Sequence, residues 1–264
     1  MQKRRSMTIA LLMLALLLMQ PLAAAASTAS EAKQDWYDAK ERSVEAQEAH
    51  RDTKVTWAAN KTDENNQAVI DTGKDALNAA LDEAEAWLVW KDLEATENPE
   101  IPNELKATIH EDVEMNLQKI DELRADVGGI DTRLDLGLVY LKMVGKYMEL
   151  LTDVARNSGN MWTHIADTKA DTIEEYEATL REAAEDMDNN EAIIGKLDLA
   201  RTELETAREN IDNAEAEYDQ VVLPGTPLVK FSNGNNYLRI TRGNLISAHG
   251  YLNQAYTLMA TGGE

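Results

Sequence analysis

Residues 190–222, NEAIIGKLDLARTELETARENIDNAEAEYDQVV, decide the fold. Ile193, Leu197, Ala200, Leu204, Ala207, Ile211, Ala214, Tyr218 and Val221 fall at spacings that alternate four and three without a slip. That alternation holds one apolar seam along an α-helix and is the repeat of coiled-coil packing. Large residues take turns with alanine, so a neighbouring helix can approach closely. At about 1.5 Å per residue the stretch predicts a helix roughly 50 Å long.

The same device extends on both sides. Leu238, Thr241, Leu245, Ala248, Leu252, Ala255 and Met259 keep the seam in a last helix, with Gly262-Gly263 as its stop. Upstream, the phase set by Leu134, Leu138 and Leu141 continues through Gly145, Met148, Thr152, Ala155, Gly159, Trp162, Ala166, Lys169, Ile173, Tyr176, Leu180, Ala183 and Met187. It survives Asn157-Ser158-Gly159-Asn160, a composition that would suit a turn. A chain that turned there would not need to keep register. One long helix is therefore expected over Thr132–Met187, bent at Gly159, with the small residues admitting a close neighbour.

Shorter elements precede it. Asn103–Val127 reads as a helix with Leu105, Ile109, Val113, Ile120, Leu123 and Val127 inward, Asn103 as N-cap and Gly128-Gly129 as terminator. Asp63–Ala95 reads as another, using Ile70, Leu77, Leu81, Ala84, Trp87 and Leu88. Ser30–Asn60 is helical by propensity but has no clean seam: Trp36, Val44, Val55 and Trp57 do not share a stripe. This first helix is expected at the periphery or completed by a partner. Pro99 and Pro102 mark one loop, and Pro224 and Pro227 sit in the longest irregular piece, 223–236. The fold class is all-α: an elongated antiparallel helical bundle with coiled-coil-like sections, of five or six helices.

At the N-terminus, Lys3, Arg4 and Arg5 precede an apolar run from Met7 to Met19, broken by Gln20-Pro21 and followed by Ala23–Ser27. This is the layout of a cleavable export signal covering residues 1–26, with residues 27–264 as one helical domain. The run is too short for a spanning helix, which needs about 20 apolar residues, so no membrane span is expected after cleavage. The expected location is the cell envelope or the extracellular space. Arg4-Arg5 is read as an ordinary basic start, not a twin-arginine signal.

Loss of the three basic residues leaves 23 Lys and Arg against 48 Asp and Glu, a formal charge of −25. Such a surface repels phosphate backbones, which excludes nucleic acid as an expected partner. It also attracts loosely bound cations. With no cysteine, stability must come from packing.

No catalytic residue and no cofactor is expected. No Ser or Cys sits in a glycine elbow, and no phosphate-binding glycine loop follows a strand. Asp186, Asp188 and Asn190 open like a calcium loop and are the weak metal candidates. The sixth loop position is Glu191 where glycine is needed, and the twelfth is Leu197 where a bidentate glutamate is needed. The motif is therefore read as an acidic turn, with Asp188 or Asn190 capping the next helix. His50, His110, His164 and His249 are scattered, and Glu114 stands where a zinc-binding H-E-x-x-H motif needs its second histidine. They are read as exposed partners of ion pairs, His110 with Glu114 and His164 with Asp167 and Asp171. Leu223-Pro224-Gly225-Thr226-Pro227 has proline where a cell-wall sorting signal needs glycine, and is read as a turn. Asn60-Lys61-Thr62 is a glycosylation sequon at the first helix junction. Phe231 is expected to cap the bundle end, and Trp87, Trp90 and Trp162 to fill the core.

The succession of export signal, helix pair, Pro99/Pro102 loop, Gly128-Gly129-Ile130-Asp131-Thr132 break, long acidic helix, heptad helix and closing Leu/Ala helix resembles a loose set of uncharacterised exported all-helical proteins of archaea and bacteria. The resemblance implies the fold and the export, and brings no ligand or catalytic residue. The expected function is that of a non-catalytic structural or protein-interaction protein, self-associating or holding a protein partner. A periplasmic-type chaperone or adaptor and a weak cation-binding envelope protein are the alternatives.

Overall fold

The computed structural model describes residues 27–261; the export signal read in residues 1–26 and the Gly262-Gly263 stop lie outside them. The described residues form six helices and no strand: α1 Ser27–Ala59, α2 Asp63–Glu97, α3 Asn103–Gly128, α4 Arg133–Glu185, α5 Glu191–Tyr218 and α6 Pro227–Thr261. The bundle is all-α, as the seams predict.

Side-chain pairs across the helices fix their directions. Trp36 stacks on Trp90 at 5.0 Å while His50 reaches Thr72 at 3.2 Å, so α1 and α2 are antiparallel. Arg156 donates to Asp112 at 3.2 Å and Lys142 pairs with Asp126, which sets α3 against α4. Asn244 donates to Glu203 at 2.7 Å and the Tyr218 hydroxyl to Asn235 at 2.7 Å, which closes the α5–α6 hairpin.

Helix α4 is the spine. Its 53 residues give it a length of about 80 Å. One hydrophobic cluster joins α2, α3 and the first half of α4 through Ile70, Leu77, Leu81, Leu88, Ile109, Val113, Ile120, Leu123, Met143, Leu150 and Val154. A second joins the last half of α4 to α5 and α6 through Ile173, Leu180, Leu197, Leu204, Ala248 and Leu252. Helix α1 packs along α2 at the edge of the bundle, and its Trp57 meets α4 through Arg133.

The chain does not turn at residues 157–160; one helix runs through them. The reason is a close contact. Tyr218, fully buried, sets the Cδ1–Cε1 edge of its ring in the space that a side chain on Gly159 or on Gly234 would fill. A Cβ at either position would stand 2.3–2.5 Å from the ring. Ala155, Ala214 and Val221 complete this small junction between the two larger cores, with Phe231 packed over it.

Several local expectations are corrected. The Asn103 N-cap is displaced by one residue: Pro102 holds the cap position and makes no side-chain cap bond, since proline suits the entry to a helix. The loop expected over 223–236 is shorter, because Pro227 starts α6; its locked φ suits the first helical position. Helix α5 stops at Tyr218, although Val221 beyond it is still buried. Trp162 is not core: it lies at the surface with its ring 6.1 Å from Phe231.

Candidate functional site

All nine seam positions of 193–221 are buried. The seam of α4 behaves differently along its length. Thr152, Ala155, Gly159, Ile173 and Leu180 of that seam are buried and Trp162 is not, while Leu134, Leu138 and Leu141 are 72%, 57% and 67% exposed. The first turns of α4 bury another face instead, Leu136 and Val139 packing against the core and Met143 and Leu150 within it. Gly73 permits this choice. It has no side chain, and both Leu136 methyls lie within 2.8 Å of where its Cβ would be, so α4 sits close on α2.

This part of α4 is apolar on most of its circumference. Between Leu134 and Leu151 the charged residues are Asp135, Lys142, Lys146 and Glu149 alone. A helix apolar nearly all round is normally covered nearly all round. Here the α5–α6 hairpin covers only the later half of α4. Tyr140 and Val144 are exposed beside the leucines, and nothing stands within 4 Å of a Cβ placed on Gly137 or Gly145.

Next to the stripe, α1, α2 and α4 enclose an open groove of about 970 Å³. Val69, Ala76, Leu77, Ala80, Met143 and Met148 make its walls apolar. Its ends differ in charge. Lys54, Trp57 and Arg133 lie at one end; Glu83 and Tyr147 lie at the other. The Arg133 guanidinium is 3.6 Å over the Trp57 ring, and Lys61 Nζ lies 5.4 Å from the same ring. Burial and Glu83 push the Tyr147 hydroxyl above its ordinary range. His50, midway, is held below its ordinary range by burial and by Lys54.

The charged residues of the bundle's outer faces form cross-helix ties. Arg208 of α5 gathers Asp167, Asp171 and Glu174 of α4, at 2.9 Å for Glu174. Arg124 of α3 holds Asp82 and Glu85 of α2. Glu177 is a carboxylate buried in the packed face of α4. It is 3% exposed, in line with Ile173, Leu180 and Ala184, and accepts from Arg181 at 2.7 Å and Arg201 at 2.8 Å. Tyr176 and Ala183, given the seam instead, lie half-buried beside the core.

Among the sequence-nominated residues, Asp186 and Asp188 are exposed in the α4–α5 turn, where Asn189 takes φ 59°. Asn190 holds the N-cap position of α5 but makes no side-chain cap bond there. Its amide donates back to the Ala184 carbonyl at 2.9 Å, closing the end of α4. Among the described residues no group of three His, Asp or Glu is placed to hold a metal ion. The histidine pairs also differ from expectation. His110 pairs across helices with Asp92 at 2.9 Å, which raises its pKa. His50 and His249 are half-buried and hydrogen-bond to Thr72 and Asn253, and His164 forms no ion pair among the described residues.

Comparison with protein-family models, with curated proteins and with solved structures finds no match to this chain. Among the described residues no helix is long and apolar enough to cross a membrane.

Proposed function

We propose that this chain is an exported, non-catalytic structural protein that works by helix-to-helix association, and that its partner is a second copy of itself. One observation carries the reading: the apolar stripe Leu134–Leu138–Leu141–Gly145 is left open at the start of the longest helix. Its four–three spacing is the spacing by which α5 and α6 already pack inside the chain. The bare Gly137 and Gly145 offer the close approach that alanine offers elsewhere in the bundle. Paired about a two-fold axis, the stripe meets itself, leucines against glycines, which is how a symmetric dimer face complements itself. The signal-like layout of residues 1–26 supports a setting outside the cytoplasm.

The test is cross-linking in the expressing cell, followed by mass spectrometry of the products. Links joining Lys142 or Lys146 of two copies support the proposal. Products without a self-link, dominated by one recurrent other protein, overturn self-association in favour of an adaptor.

A further inference from the structure

We infer that the groove between α1, α2 and α4 binds a single-chain anionic amphiphile, its acidic head among Lys54, Lys61 and Arg133 around Trp57 and its tail along α4 toward Met148. The groove shares Gly137 with the outer stripe and borders it at Tyr140 and Val144, so calorimetry reads this inference and native mass reads the self-association proposed above.

The charge pattern selects the ligand class. The protein is strongly acidic overall, and most cations of its bundle are tied to carboxylates, as Arg124, Arg156, Arg181 and Arg208 are. Among the described residues Lys54, Lys61 and Arg133 have no carboxylate partner, and two of them lie over one tryptophan. Asp135, the acid nearest Arg133 in its own helix, is engaged by Thr132 in the capping box. Lys54 and Arg133 at one end of an apolar groove, with Lys61 beside the same Trp57, offer an external anion charge-assisted donors that no carboxylate of the chain occupies. A small inorganic anion would use only that end. The walls beyond it are aliphatic and aromatic, and the fifteen helical steps from Arg133 to Met148 give the groove a length of about 22 Å. That suits an extended acyl chain. Glu83 at the far end would repel a second anionic group, which favours one head and one tail.

The basic start of residues 1–26 has the wrong sign for the cationic end.

The experiment titrates the purified full chain with dodecanoate below its micelle concentration, by calorimetry, beside dodecyltrimethylammonium and octanoate. Dodecanoate should bind at one site, and the cationic analogue at least tenfold more weakly. Octanoate should lose about two- to fourfold for each methylene removed. Lys54→Glu/Arg133→Glu should weaken dodecanoate at least tenfold and reverse the preference between the two heads. Lys54 is exposed, and an acid suits the first position of a helix, so the pair should fold normally by circular dichroism. Val144→Glu, at an exposed wall position, should block the tail without touching the head site. Three results would overturn the inference: equal binding of the two heads, dodecanoate binding unchanged in both variants, or binding seen only with anionic vesicles. A mass that rises with concentration and excludes dodecanoate would assign the groove to a second copy instead.

Discussion

Replacing Gly159 with alanine tests the junction that lets one helix serve two cores. The added Cβ would lie 2.3–2.6 Å from three ring atoms of Tyr218, where carbon atoms pack at about 3.5–4.0 Å. The ring is confined, because Gly234 also lies close against its Cε1 and Cζ atoms. Overpacking of this kind costs about 1–3 kcal/mol. Tilting the ring also strains the 2.7 Å bond from its hydroxyl to Asn235, worth about 1 kcal/mol. Alanine in a helix interior returns about 1 kcal/mol relative to glycine. The net expectation is a loss of about 1–3 kcal/mol, with each kcal/mol lowering the midpoint by about 2–4 °C in a chain of this size. Urea unfolding followed by far-ultraviolet circular dichroism reads the change. Gly195→Ala is the control: nothing stands within 4 Å of its Cβ, so it should gain up to about 1 kcal/mol. In a Tyr218→Leu background the Gly159→Ala penalty should shrink, which a double-mutant cycle measures. If Gly159→Ala stabilises the protein as much as Gly195→Ala does, the close-packing argument is refuted.

Tyr218→Phe keeps the ring and removes only the hydroxyl, so its cost should be about 1 kcal/mol by the same unfolding assay. Glu177→Gln leaves Arg181 and Arg201 without their carboxylate at a buried position, and should destabilise by about 1–3 kcal/mol in thermal melts. Proton NMR titration of the imidazoles should place His110 above the usual 6.5 and His50 and His249 below it. The signs give two windows of stability. The contribution of neutral His50 and His249 is complete above 6.5 and is lost as pH falls through their depressed values. That of charged His110 is complete below 6.5 and is lost as pH rises through its raised value. His110→Ala should therefore remove pH dependence only on the alkaline side of 6.5, seen as a flatter plot of melting midpoint against pH.

The fold was largely legible because a four–three repeat leaves little freedom. Residues 193–221 place large and small side chains on one stripe, and every position named is buried. The continuity of α4 through Gly159 was legible for the same reason, though the contact that requires the glycine comes from Tyr218, 59 residues away. The burial of the first turns of α4 was not legible. With apolar residues on both the Leu134 face and the Leu136 face, periodicity cannot say which one the chain covers itself; the bare Gly73 decides it from another helix. Proline at 227 reads equally as loop or as the first residue of a helix, and only packing tells them apart. The groove was invisible in sequence. Lys54, Lys61 and Arg133 come from three segments and meet only around Trp57. Glu177 was missed because a carboxylate in a seam looks excluded until Arg181 and Arg201 are seen to reach it.

The central claim is that the open stripe of α4 joins two copies, and native mass tests it most directly. Sedimentation equilibrium of the purified protein over a range of concentrations should show a monomer–dimer equilibrium. Leu138→Glu, on an exposed position, should hold the chain at its monomer mass without lowering its melting temperature. A wild-type chain that stays monomeric at every concentration, or a dimer that Leu138→Glu leaves intact, contradicts the account.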